Sequence, residues 1–331
     1  MKYYIGIDIG GTNLSTGVVD ETYKIVGRSK IKTDKGRPYE EVIKDIIESV
    51  KLAADDAKID MDDVRWIGAG CPGTCNSDTG IVEYSNNLGW NNVPLLPDIE
   101  NAFGKKTYID NDANAAAYGE YLAGAAKGAK NAVVITLGTG VGAGIIINGR
   151  IFSGTNFAGG EIGHTVIVID GYQCTCGRKG CFETYASATG LARMTQEALE
   201  QHPESKLHQL VETDGRVSAR TAFNAAKMMD DVGQAVVDRY IKALACGITN
   251  TINIFQPDIL CIGGGVCNEG DNLLIPLKKL VAEQVYSKNS VKNTEICICS
   301  LGNDAGIIGA AMLGKSAESG IIRSVLGKIN S

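Results

Sequence analysis

The chain alternates short apolar runs with amphipathic stretches, and many of the apolar runs end at glycine. Residues 3–9 form an apolar run of strand length, residues 10–13 are typical of a turn, and residues 14–19 return as a second strand. A third strand is predicted over residues 25–33. After Pro38, apolar side chains recur at helical spacing, which predicts an amphipathic helix. The residues expected on its buried face are Val42, Ile43, Ile46, Ile47, Val50 and Ala53.

The rest of the chain continues this alternation of strand and helix. Strands are predicted over residues 64–69, 107–109, 132–137, 144–147, 259–262 and 295–301. Helices are predicted over residues 113–126, 187–199, 217–229, 232–255, 273–286 and 305–313, the first of them capped by Asp112. Segments 3–19 and 132–147 share one order of strand, glycine- and threonine-containing turn, and strand, which indicates two related halves. Such alternation is typical of the α/β class.

Length and charge narrow the class of protein. The 331 residues exceed one ordinary hydrophobic core, so two domains are expected, with the joint near Asp112. A net charge of −6 disfavours a surface for nucleic acid or for an anionic membrane. Residues 1–25 do not resemble a secretory signal, and the glycines of the uncharged segment 131–149 favour a buried strand–turn–strand over a membrane span. We therefore expect a cytoplasmic protein with no membrane or nucleic-acid partner.

One window of the sequence concentrates residues that bind metal ions. The chain has only 3 His and 10 Cys, yet one imidazole and three thiols fall close together at His164, Cys174, Cys176 and Cys181. This set completes the tetrahedral shell of a structural zinc ion and leaves no open position for an activated water. The Cys-x-Cys spacing differs from that of common zinc fingers, so nucleic-acid binding does not follow. Because Glu161 and Glu183 bracket the window, we expect the zinc to hold a polar ligand site in shape.

Three glycine-rich turns directly follow apolar runs, and they are Gly10-Gly11-Thr12, Gly138-Thr139-Gly140 and Gly263-Gly264-Gly265. Backbone N–H groups in such turns bind anions, and glycine allows the anion to approach closely. Together with Asp8, the turns point to a nucleoside triphosphate. The sequence has no P-loop motif and no protein-kinase motif, and the absence of Gly-x-Gly-x-x-Gly after Ile7 weakens a dinucleotide-binding interpretation.

The sequence resembles the ROK family of bacterial sugar kinases and sugar-responsive repressors from residue 5 to about residue 313. The matching motifs are Asp8-Ile9-Gly10-Gly11-Thr12-Asn13, Asn111-Asp112-Ala113-Asn114, Gly138-Thr139-Gly140-Val141-Gly142 and the zinc window. The resemblance implies the actin/hexokinase-like (ribonuclease H-like) fold, in which two α/β domains flank a cleft that closes on the substrate. We expect a smaller domain over residues 1–112, joined by a C-terminal helix at about residues 314–331, and a larger domain over residues 113–313 with the zinc window. Family members tend to form a homodimer or homotetramer.

The resemblance also implies roles for individual residues. Asp112 would be the general base that takes the proton of the sugar hydroxyl as this hydroxyl attacks the γ-phosphate of ATP. The expected sugar contacts are Gly73, Asn87, Asn111, Asp112, Glu161, His164 and Glu183, with one ring nitrogen of His164 kept for zinc. Asp8 would order Mg²⁺ through water. The expected nucleotide contacts are Asp8, Gly10, Gly11, Thr12, Asn13, Gly138, Thr139, Gly140, Gly190, Gly264 and Gly265.

The implied activity is that of an ATP-dependent glucokinase, since residues 183–190 most resemble the glucose-specific members; polyphosphate as the donor stays open. The same chemistry on N-acetylmannosamine, N-acetylglucosamine, fructose or allose is the first alternative, and a non-catalytic sugar-sensing regulator is the second. Regulators of the family carry an N-terminal helix-turn-helix, and a first strand that begins at residue 3 disfavours them. Cys71 and Cys75 lie near the expected sugar loop, from which we hypothesise sensitivity to oxidation.

Overall fold

The computed structural model of the chain describes residues 2–34 and 36–318. Most of the predicted strands are present, although several differ in length by two or three residues. The strands are β1 (Tyr3–Ile9), β2 (Asn13–Val19), β3 (Ile25–Lys32), β4 (Val64–Cys71), β5 (Thr74–Asn76), β6 (Ile81–Ser85), β7 (Trp90–Val93), β8 (Thr107–Asn111), β9 (Ala132–Leu137), β10 (Val141–Ile147), β11 (Arg150–Ile151), β12 (Ile259–Gly263) and β13 (Glu295–Ile298).

The helices also follow the sequence pattern closely. They are α1 (Tyr39–Ala57), α2 (Leu95–Phe103), α3 (Asp112–Ala123), α4 (Glu183–Ala186), α5 (Ala188–Gln201), α6 (Leu207–Asp214), α7 (Thr221–Lys227), α8 (Asp231–Phe255), α9 (Asp271–Gln284), α10 (Asp304–Ala311) and α11 (Leu313–Glu318). The residue before α1 is Pro38, whose fixed φ favours a helix start. The predicted C-terminal helix at residues 314–331 is described only as far as Glu318, and residues 319–331 lie outside the described residues.

Two five-stranded sheets organise the chain, with the orders β3-β2-β1-β4-β8 and β11-β10-β9-β12-β13. In the first, β1 pairs with β2 antiparallel and with β4 parallel, and β4 pairs with β8 parallel. In the second, β12 pairs parallel with both β9 and β13, and β10 pairs antiparallel with β11. The two sheets thus share a pattern in which parallel strands are flanked by an antiparallel hairpin.

The sequence pattern does not predict a small third sheet, β5-β6-β7, or the helices α2 and α6. The strands of this sheet contain three to five residues each, and they include polar residues or follow a glycine, as Trp90–Val93 does. Such short segments contain too few periodic positions to reveal a strand. The exposed connection that joins β6 to β7 holds Asn87, one of the predicted sugar contacts.

The described residues divide into two compact units. The first unit takes the chain up to Asn131, the segment Gly144–Gly160 and the residues from Ser300 onward. The second unit takes Ala132–Ala143 and Glu161–Cys299. This division differs from the boundary expected near Asp112, because it leaves α3 in the first unit and passes through β10.

Close packing between α3 and α10 explains why α3 stays in the first unit. A Cβ atom at Gly309 would overlap the carbonyl oxygen of Ala115, and one at Gly119 would overlap the carbonyl oxygen of Ala305. The opposite side of α10 meets the first sheet just as closely, since a Cβ atom at Gly68 would overlap the carbonyl oxygen of Ala310. Glycine therefore permits the backbone of α10 to fit between the sheet and α3.

The first unit has a continuous apolar core around its sheet. Strands β1 and β4 contribute fully buried residues, among them Ile5, Ile7 and Ile67, and α1 packs on them through the predicted positions Val42, Ile46, Val50 and Ala53. Ile43 and Ile47 are half-buried at the edge of this face. None of the helices in the described residues combines the length and the apolar composition that a membrane span requires.

Candidate functional site

The carboxyl ends of three parallel strands in the first unit bring acidic side chains together. Asp8 on β1 is in register with Gly70 on β4, and Gly70 is in register with Asp110 on β8. Asp112 follows at the first position of α3. In open α/β sheets, ligands bind at the carboxyl ends of the strands. We call Asp8, Asp110 and Asp112 the carboxylate cluster.

Burial and mutual repulsion act on the first member of this cluster. Burial is the main reason why the pKa of Asp8 rises to about 6, and the nearby charge of Asp112 adds to the rise. Helix α10 contributes to this burial, since a Cβ atom at Gly306 would lie 2.8 Å from Cγ of Asp8. A carboxylate with a raised pKa beside a second carboxylate favours a bound cation, because the cation would relieve both the desolvation and the repulsion.

Asp110 fixes the corner between β8 and α3. One of its carboxylate oxygens accepts hydrogen bonds from the backbone N–H of Asn111 at 2.7 Å and from Nδ2 of Asn114 at 2.8 Å. The side chain of Ser153 donates to it as well, although burial outweighs these bonds and raises the pKa of Asp110 to about 6. With its oxygens used in this way, Asp110 orients the backbone that carries the two residues after it.

The structure corrects the predicted helix cap. Asn111 rather than Asp112 is the N-cap of α3, and its Oδ1 accepts hydrogen bonds from the N–H groups of Ala113 at 2.8 Å and Asn114 at 3.3 Å. Asp112 is instead the first helical residue, where its Oδ1 accepts a further bond from Ala113 at 2.9 Å. The extended backbone of Asn111, with φ −60° and ψ 147°, makes it the capping position. Asp112 nonetheless keeps the helix N-terminus, whose dipole favours the ionised carboxylate.

A hydrogen bond joins Asn111 to the loop after β4. Nδ2 of Asn111 donates to the carbonyl oxygen of Gly73 at 3.1 Å. Gly73 has a φ of 109°, and a Cβ atom there would overlap the carbonyl oxygen of Tyr84. Glycine is therefore required where this loop passes the β6 strand, and two of the predicted sugar contacts, Gly73 and Asn111, are direct neighbours. Asn87 is exposed at the tip of the β6–β7 hairpin.

The turn between β1 and β2 closes through a backbone hydrogen bond from Gly10 to the carbonyl oxygen of Asn13 at 2.9 Å. The carbonyl oxygen of Thr12 accepts the N–H of Thr33 at 3.0 Å, which holds the turn against the end of β3. The predicted nucleotide contacts Gly10, Gly11, Thr12 and Asn13 thus form one tight turn directly after Asp8.

The second unit contains the predicted metal ligands, which converge as expected. The ligand atoms of His164, Cys174, Cys176 and Cys181 all lie within 4.8 Å of one another. Sγ of Cys174 is 3.6 Å from Nδ1 of His164, and Sγ of Cys176 is 3.6 Å from Sγ of Cys181. We call these four residues the thiol–imidazole cluster.

These separations fit a tetrahedral zinc ion. Zinc–sulfur bonds of about 2.3 Å and zinc–nitrogen bonds of about 2.0–2.1 Å place neighbouring ligand atoms roughly 3.6–3.8 Å apart in a tetrahedron. Burial and the neighbouring thiols raise the pKa of Cys181 to about 12, so a bound dication is needed to hold this thiol as a thiolate at neutral pH. Since Nδ1 of His164 faces Cys174, its Nε2 is the nitrogen left for another partner.

The backbone around this cluster is largely irregular. The isolated bridges Val166↔Cys181 and Gln173↔Lys179 hold the loop together, and the carbonyl oxygen of Arg178 accepts the N–H of Cys174 at 2.8 Å. Gly177 and Gly180 have φ values of 91° and 77°, which lets the chain curl between Cys176 and Cys181. The loop is therefore held by turn-type hydrogen bonds and isolated bridges and not by a regular strand or helix, and a metal ion would add a cross-link between its ends.

The two acidic residues that bracket the window differ in their surroundings. Glu161 is exposed just before a short 3₁₀ turn, Ile162–His164. Glu183 begins α4, and its Oε2 accepts the N–H of Val141 at 2.9 Å. Its Oε1 lies 3.9 Å from Sγ of Cys174. Glu183 thus connects the thiol–imidazole cluster with the turn between β9 and β10.

Two glycine turns of the second unit follow neighbouring parallel strands. Gly263 at the end of β12 is in register with Thr136 on β9, so the turns at residues 138–140 and 263–265 lie at the same edge of their sheet. Gly264 has a φ of 97°, and a Cβ atom there would overlap the carbonyl oxygen of Leu137. This proximity places four of the predicted nucleotide contacts side by side, and they are Gly138, Thr139, Gly140 and Gly264.

Two predicted features involve groups that the fold bonds internally or buries. The N–H of Gly190 donates to Oγ of Ser187 at 3.0 Å as part of the α5 cap, so this N–H is occupied within the protein. Cys71 and Cys75 are buried, with 0% and 2% of their surfaces exposed. Their burial shields both thiols from an oxidant in solution, which argues against the hypothesis of easy oxidation.

The sequence pattern does not predict three of the contacts around these sites. The spacing of Asp110 and Asn114, four residues apart, is a signal that could have shown their hydrogen bond. Ser187 followed three residues later by Gly190 has the spacing of a helix cap. The bond from Val141 to Glu183 spans 42 residues, and nothing in the local sequence indicates it.

Comparison with known proteins agrees with this architecture. The model of the ROK family matches residues 4–317. The chain is 39% identical over 320 residues to a glucokinase of Halalkalibacterium halodurans, and the match covers 96% of each protein. It is also 30% identical over 309 residues to a xylose repressor of Caldicellulosiruptor bescii, covering 92% of this chain and 76% of the repressor.

A solved structure gives the same result for the fold. A ROK family glucokinase from Streptomyces griseus, in complex with glucose and AMPPNP, superposes with a TM-score of 0.80 at 32% identity. The superposition covers 94% of this chain and 98% of that one. The α/β fold of the actin/hexokinase-like type is therefore confirmed. On the extent of the family match and the identity to its members, the chain belongs to the ROK family.

Proposed function

We propose that the chain is an ATP-dependent glucokinase that converts D-glucose to glucose 6-phosphate. The observation that carries the proposal is the carboxylate cluster, in which Asp112 stands at a helix N-terminus beside the capping residue Asn111. The 39% identity to a glucokinase, over 96% of both chains, supports glucose as the sugar. The glucose and AMPPNP bound by the related Streptomyces griseus enzyme support ATP as the phosphate donor.

In this proposal, Asp112 is the general base. The α3 dipole and the hydrogen bond from Ala113 favour its ionised form, so its carboxylate can accept the proton of the sugar 6-hydroxyl as the oxygen attacks the γ-phosphate. Asn111 is held by its bonds to Ala113 and to Gly73, which leaves the corner rigid enough to orient a sugar. A base positioned in this way contributes a factor of about 100 to 10,000 to the rate.

The nucleotide would be bound mainly by backbone groups. The β1–β2 turn and the turns at residues 138–140 and 263–265 supply N–H groups, which bind phosphate oxygens without adding net charge. Asp8 would hold Mg²⁺ through water, and Mg²⁺ would neutralise charge on the phosphate oxygens. The raised pKa of Asp8 fits this assignment, because a cation would lower it again.

Sugar hydroxyls need several directed hydrogen bonds for discrimination. In the first unit we assign these bonds to Asn111, Asn87 and the backbone of Gly73. In the second unit we assign them to Glu161, to Nε2 of His164 and to Oε1 of Glu183. Zinc on Nδ1 of His164 would fix the ring plane and its tautomer, so that Nε2 carries the hydrogen for a sugar oxygen.

Two alternatives to glucose phosphorylation can be distinguished by one turnover assay. Phosphorylation of another hexose, such as N-acetylmannosamine, N-acetylglucosamine, fructose or allose, would use the same base and the same turns. A sugar-sensing regulator is favoured by the 30% identity to a xylose repressor. Only the kinase, however, needs a carboxylate base, and the regulator alternative predicts sugar binding without turnover.

The deciding experiment measures ADP release from MgATP with glucose and with each alternative hexose, in parallel with polyphosphate as the donor. The matched control is Asp112→Asn, which keeps the size of the side chain and an oxygen for the bond from Ala113. Glucose-dependent turnover that the control abolishes would support the glucokinase. Preference for another sugar would change the substrate, and sugar-induced thermal stabilisation without any turnover would reject the kinase.

A further inference from the structure

The turn between β9 and β10 is held by the segments that surround the thiol–imidazole cluster. The N–H of Val141 donates to Oε2 of Glu183 at 2.9 Å. The carbonyl oxygen of Gly138 accepts the N–H of Ala188 at 2.9 Å, from the segment just after α4. On the other side, a Cβ atom at Gly163 would overlap the carbonyl oxygen of Val141. Each of these contacts comes from a residue within seven positions of a predicted zinc ligand.

Gly140 shows how closely Glu183 fits this turn. A Cβ atom at Gly140 would overlap Oε2 of Glu183, although the φ of Gly140 is not in the left-handed region. A side chain at position 140 would displace the carboxylate and break its bond to Val141, so glycine is what lets Glu183 reach the turn. The bond and the glycine are thus two parts of one arrangement.

We propose that Glu183 is a positioning residue for nucleotide binding, whose carboxylate fixes the β9–β10 turn while the zinc-bearing loop fixes Glu183. This inference rests on the proposed function, in which that turn binds phosphate. It adds a second duty to a residue otherwise assigned to the sugar, since Oε2 serves the turn and Oε1 remains for other partners. It also makes the metal loop a support for the nucleotide and not only for the sugar.

The charge of Glu183 affects which backbone N–H groups of the turn can bind phosphate oxygens. A carboxylate close to a phosphate repels it, and the bond from the N–H of Val141 partly offsets the charge on one oxygen and holds it at the base of the turn. The N–H of Val141 is therefore used within the protein. The N–H groups of Thr139 and Gly140 then remain as the donors for phosphate oxygens.

The test measures the Kd of MgADP by titration calorimetry without sugar, so that sugar contacts do not enter. Glu183→Ala removes the acceptor and should weaken MgADP binding about tenfold or more, because a hydrogen bond to a charged group is lost. Glu183→Gln keeps an oxygen for Val141 and should stay within about threefold of the wild type. Glu200→Ala, which removes an exposed glutamate on α5 outside the predicted sites, is the control and should leave the Kd of MgADP unchanged.

Gly140→Ala provides a second and independent way to break the same bond. It should weaken MgADP binding about as much as Glu183→Ala, and the double variant should be no weaker than the worse single variant, because both changes remove one interaction. Zinc content, measured with a colorimetric chelator, should stay equal in all variants. Circular dichroism confirms that each variant is folded.

The possible results separate this inference from the proposed function. The inference would be overturned if folded, zinc-loaded Glu183→Ala bound MgADP with the Kd of the wild type. It would also be overturned if the losses of MgADP affinity were additive in the double variant. If the wild type binds MgADP but phosphorylates no sugar, the proposed function fails, while the series still tests the role of Glu183. A wild type that does not bind MgADP would overturn both.

Discussion

The carboxylate cluster of the first unit and the thiol–imidazole cluster of the second are built on opposite kinds of backbone. Asp8 and Asp110 end buried parallel strands that are in register through Gly70, and Asp112 begins a helix that packs tightly on α10. The thiol–imidazole cluster lies on a loop held by two isolated bridges and by glycines in left-handed conformations. One set of ligand groups is fixed by the packing of regular elements, and the other is not.

This difference shows two separate reasons for a protein to need a cation. In the first unit the frame is rigid and the charges are unfavourable, as the raised pKa of Asp8 indicates. A cation there would offset the burial of the Asp8 carboxylate and its repulsion by Asp112, and it would change little in the structure. In the second unit the ligands lie on an irregular loop, and the Cys181 thiol resists ionisation, since burial and the neighbouring thiols raise its pKa to about 12. A cation there would create both the thiolates and the fixed geometry.

The largest expected effect comes from Asp112→Asn, which tests whether the first cluster is preorganised. Asparagine has the same shape and can accept the bond from Ala113, but it cannot accept a proton. We expect kcat for glucose phosphorylation to fall about 100- to 10,000-fold, with little change in the melting temperature. Steady-state kinetics and differential scanning calorimetry measure the two quantities.

A retained kcat in Asp112→Asn would exclude Asp112 as the base. A large fall in melting temperature would instead show that Asp112 supports the fold. The carboxylate cluster would then not be held by the packing of regular elements alone. The cap itself is assigned to Asn111, so Asn111→Ala serves as the contrasting variant. That change should lower the stability by about 1 kcal/mol, the usual cost of losing a helix cap.

Removal of zinc should have the next largest effect, and it should act on structure first. Cys176→Ser, or a strong chelator, removes one ligand or the ion itself, and zinc binding contributes several kcal/mol to the folding of a loop of this kind. We expect a lower melting temperature and weaker binding of both glucose and MgADP. Cys246→Ser is a matched control, because Cys246 lies on α8 outside the cluster.

The control should keep its zinc and its melting temperature. If zinc-free protein retained the melting temperature and the affinities for glucose and MgADP, the loop would keep its structure without a metal ion, as the carboxylate cluster is expected to do. The contrast between the two regions would then be lost. Recovery of both affinities when zinc is added back would show that the damage lies in the metal site.

The sequence predicts the first cluster well because its positions follow from regular elements. The apolar run before Asp8 and the alanine-rich helix after Asp112 can each be recognised locally, and the carboxyl ends of parallel strands are where such residues meet. The capping residue was assigned one position too late, to Asp112. Asn and Asp are almost equal as N-caps, so the choice between them depends on backbone angles that the sequence does not reveal.

The domain division and the contacts of Glu183 could not be predicted in this way. The placement of α3 in the first unit depends on a close approach to Gly309, almost 200 residues later in the chain. The bond between Val141 and Glu183 likewise joins a strand to a distant helix. Motifs predict the residues of the thiol–imidazole cluster, but only the tertiary structure shows that segments next to this cluster contact a glycine turn.

A third prediction concerns the packing that makes the first cluster rigid. Gly309→Ala places a methyl group against the carbonyl oxygen of Ala115, so α3 must move away from α10. Overpacking of this kind typically costs about 1–3 kcal/mol, and a backbone contact should lie at the upper end. We expect a lower stability in urea denaturation and a reduced kcat, because Asp112 moves with α3.

Zinc content provides the comparison for this variant. Gly309 belongs to the first unit, so Gly309→Ala should keep the full zinc content that Cys176→Ser loses. Unchanged stability would show that the approach of α3 to α10 can relax without cost. Loss of zinc would show that the two clusters are not built independently.

The smallest effect is a change in how stability depends on pH. The pKa of Asp8 is raised from 3.8 to about 6, so the folded protein binds a proton more readily than the unfolded chain. Stability is therefore highest below the unfolded value, falls as the pH rises from about 4 to about 6, and stays lowered above that. Asp8→Asn removes this cost, which is of the order of 1–3 kcal/mol.

Urea denaturation without Mg²⁺, at about pH 4.5 and about pH 7.5, measures the effect. Asp8→Asn should be more stable than the wild type at the higher pH, and the difference should shrink to roughly a third at the lower pH, which lies just above the unfolded pKa of 3.8. Any metal on the thiol–imidazole cluster would be lost equally from both proteins in acid, so their difference isolates Asp8. Asp110, whose pKa is also raised to about 6, keeps part of the slope in both. Equal stabilities at the higher pH would show that ionised Asp8 carries no cost from burial or from repulsion by Asp112, and a bound cation would then have nothing to relieve.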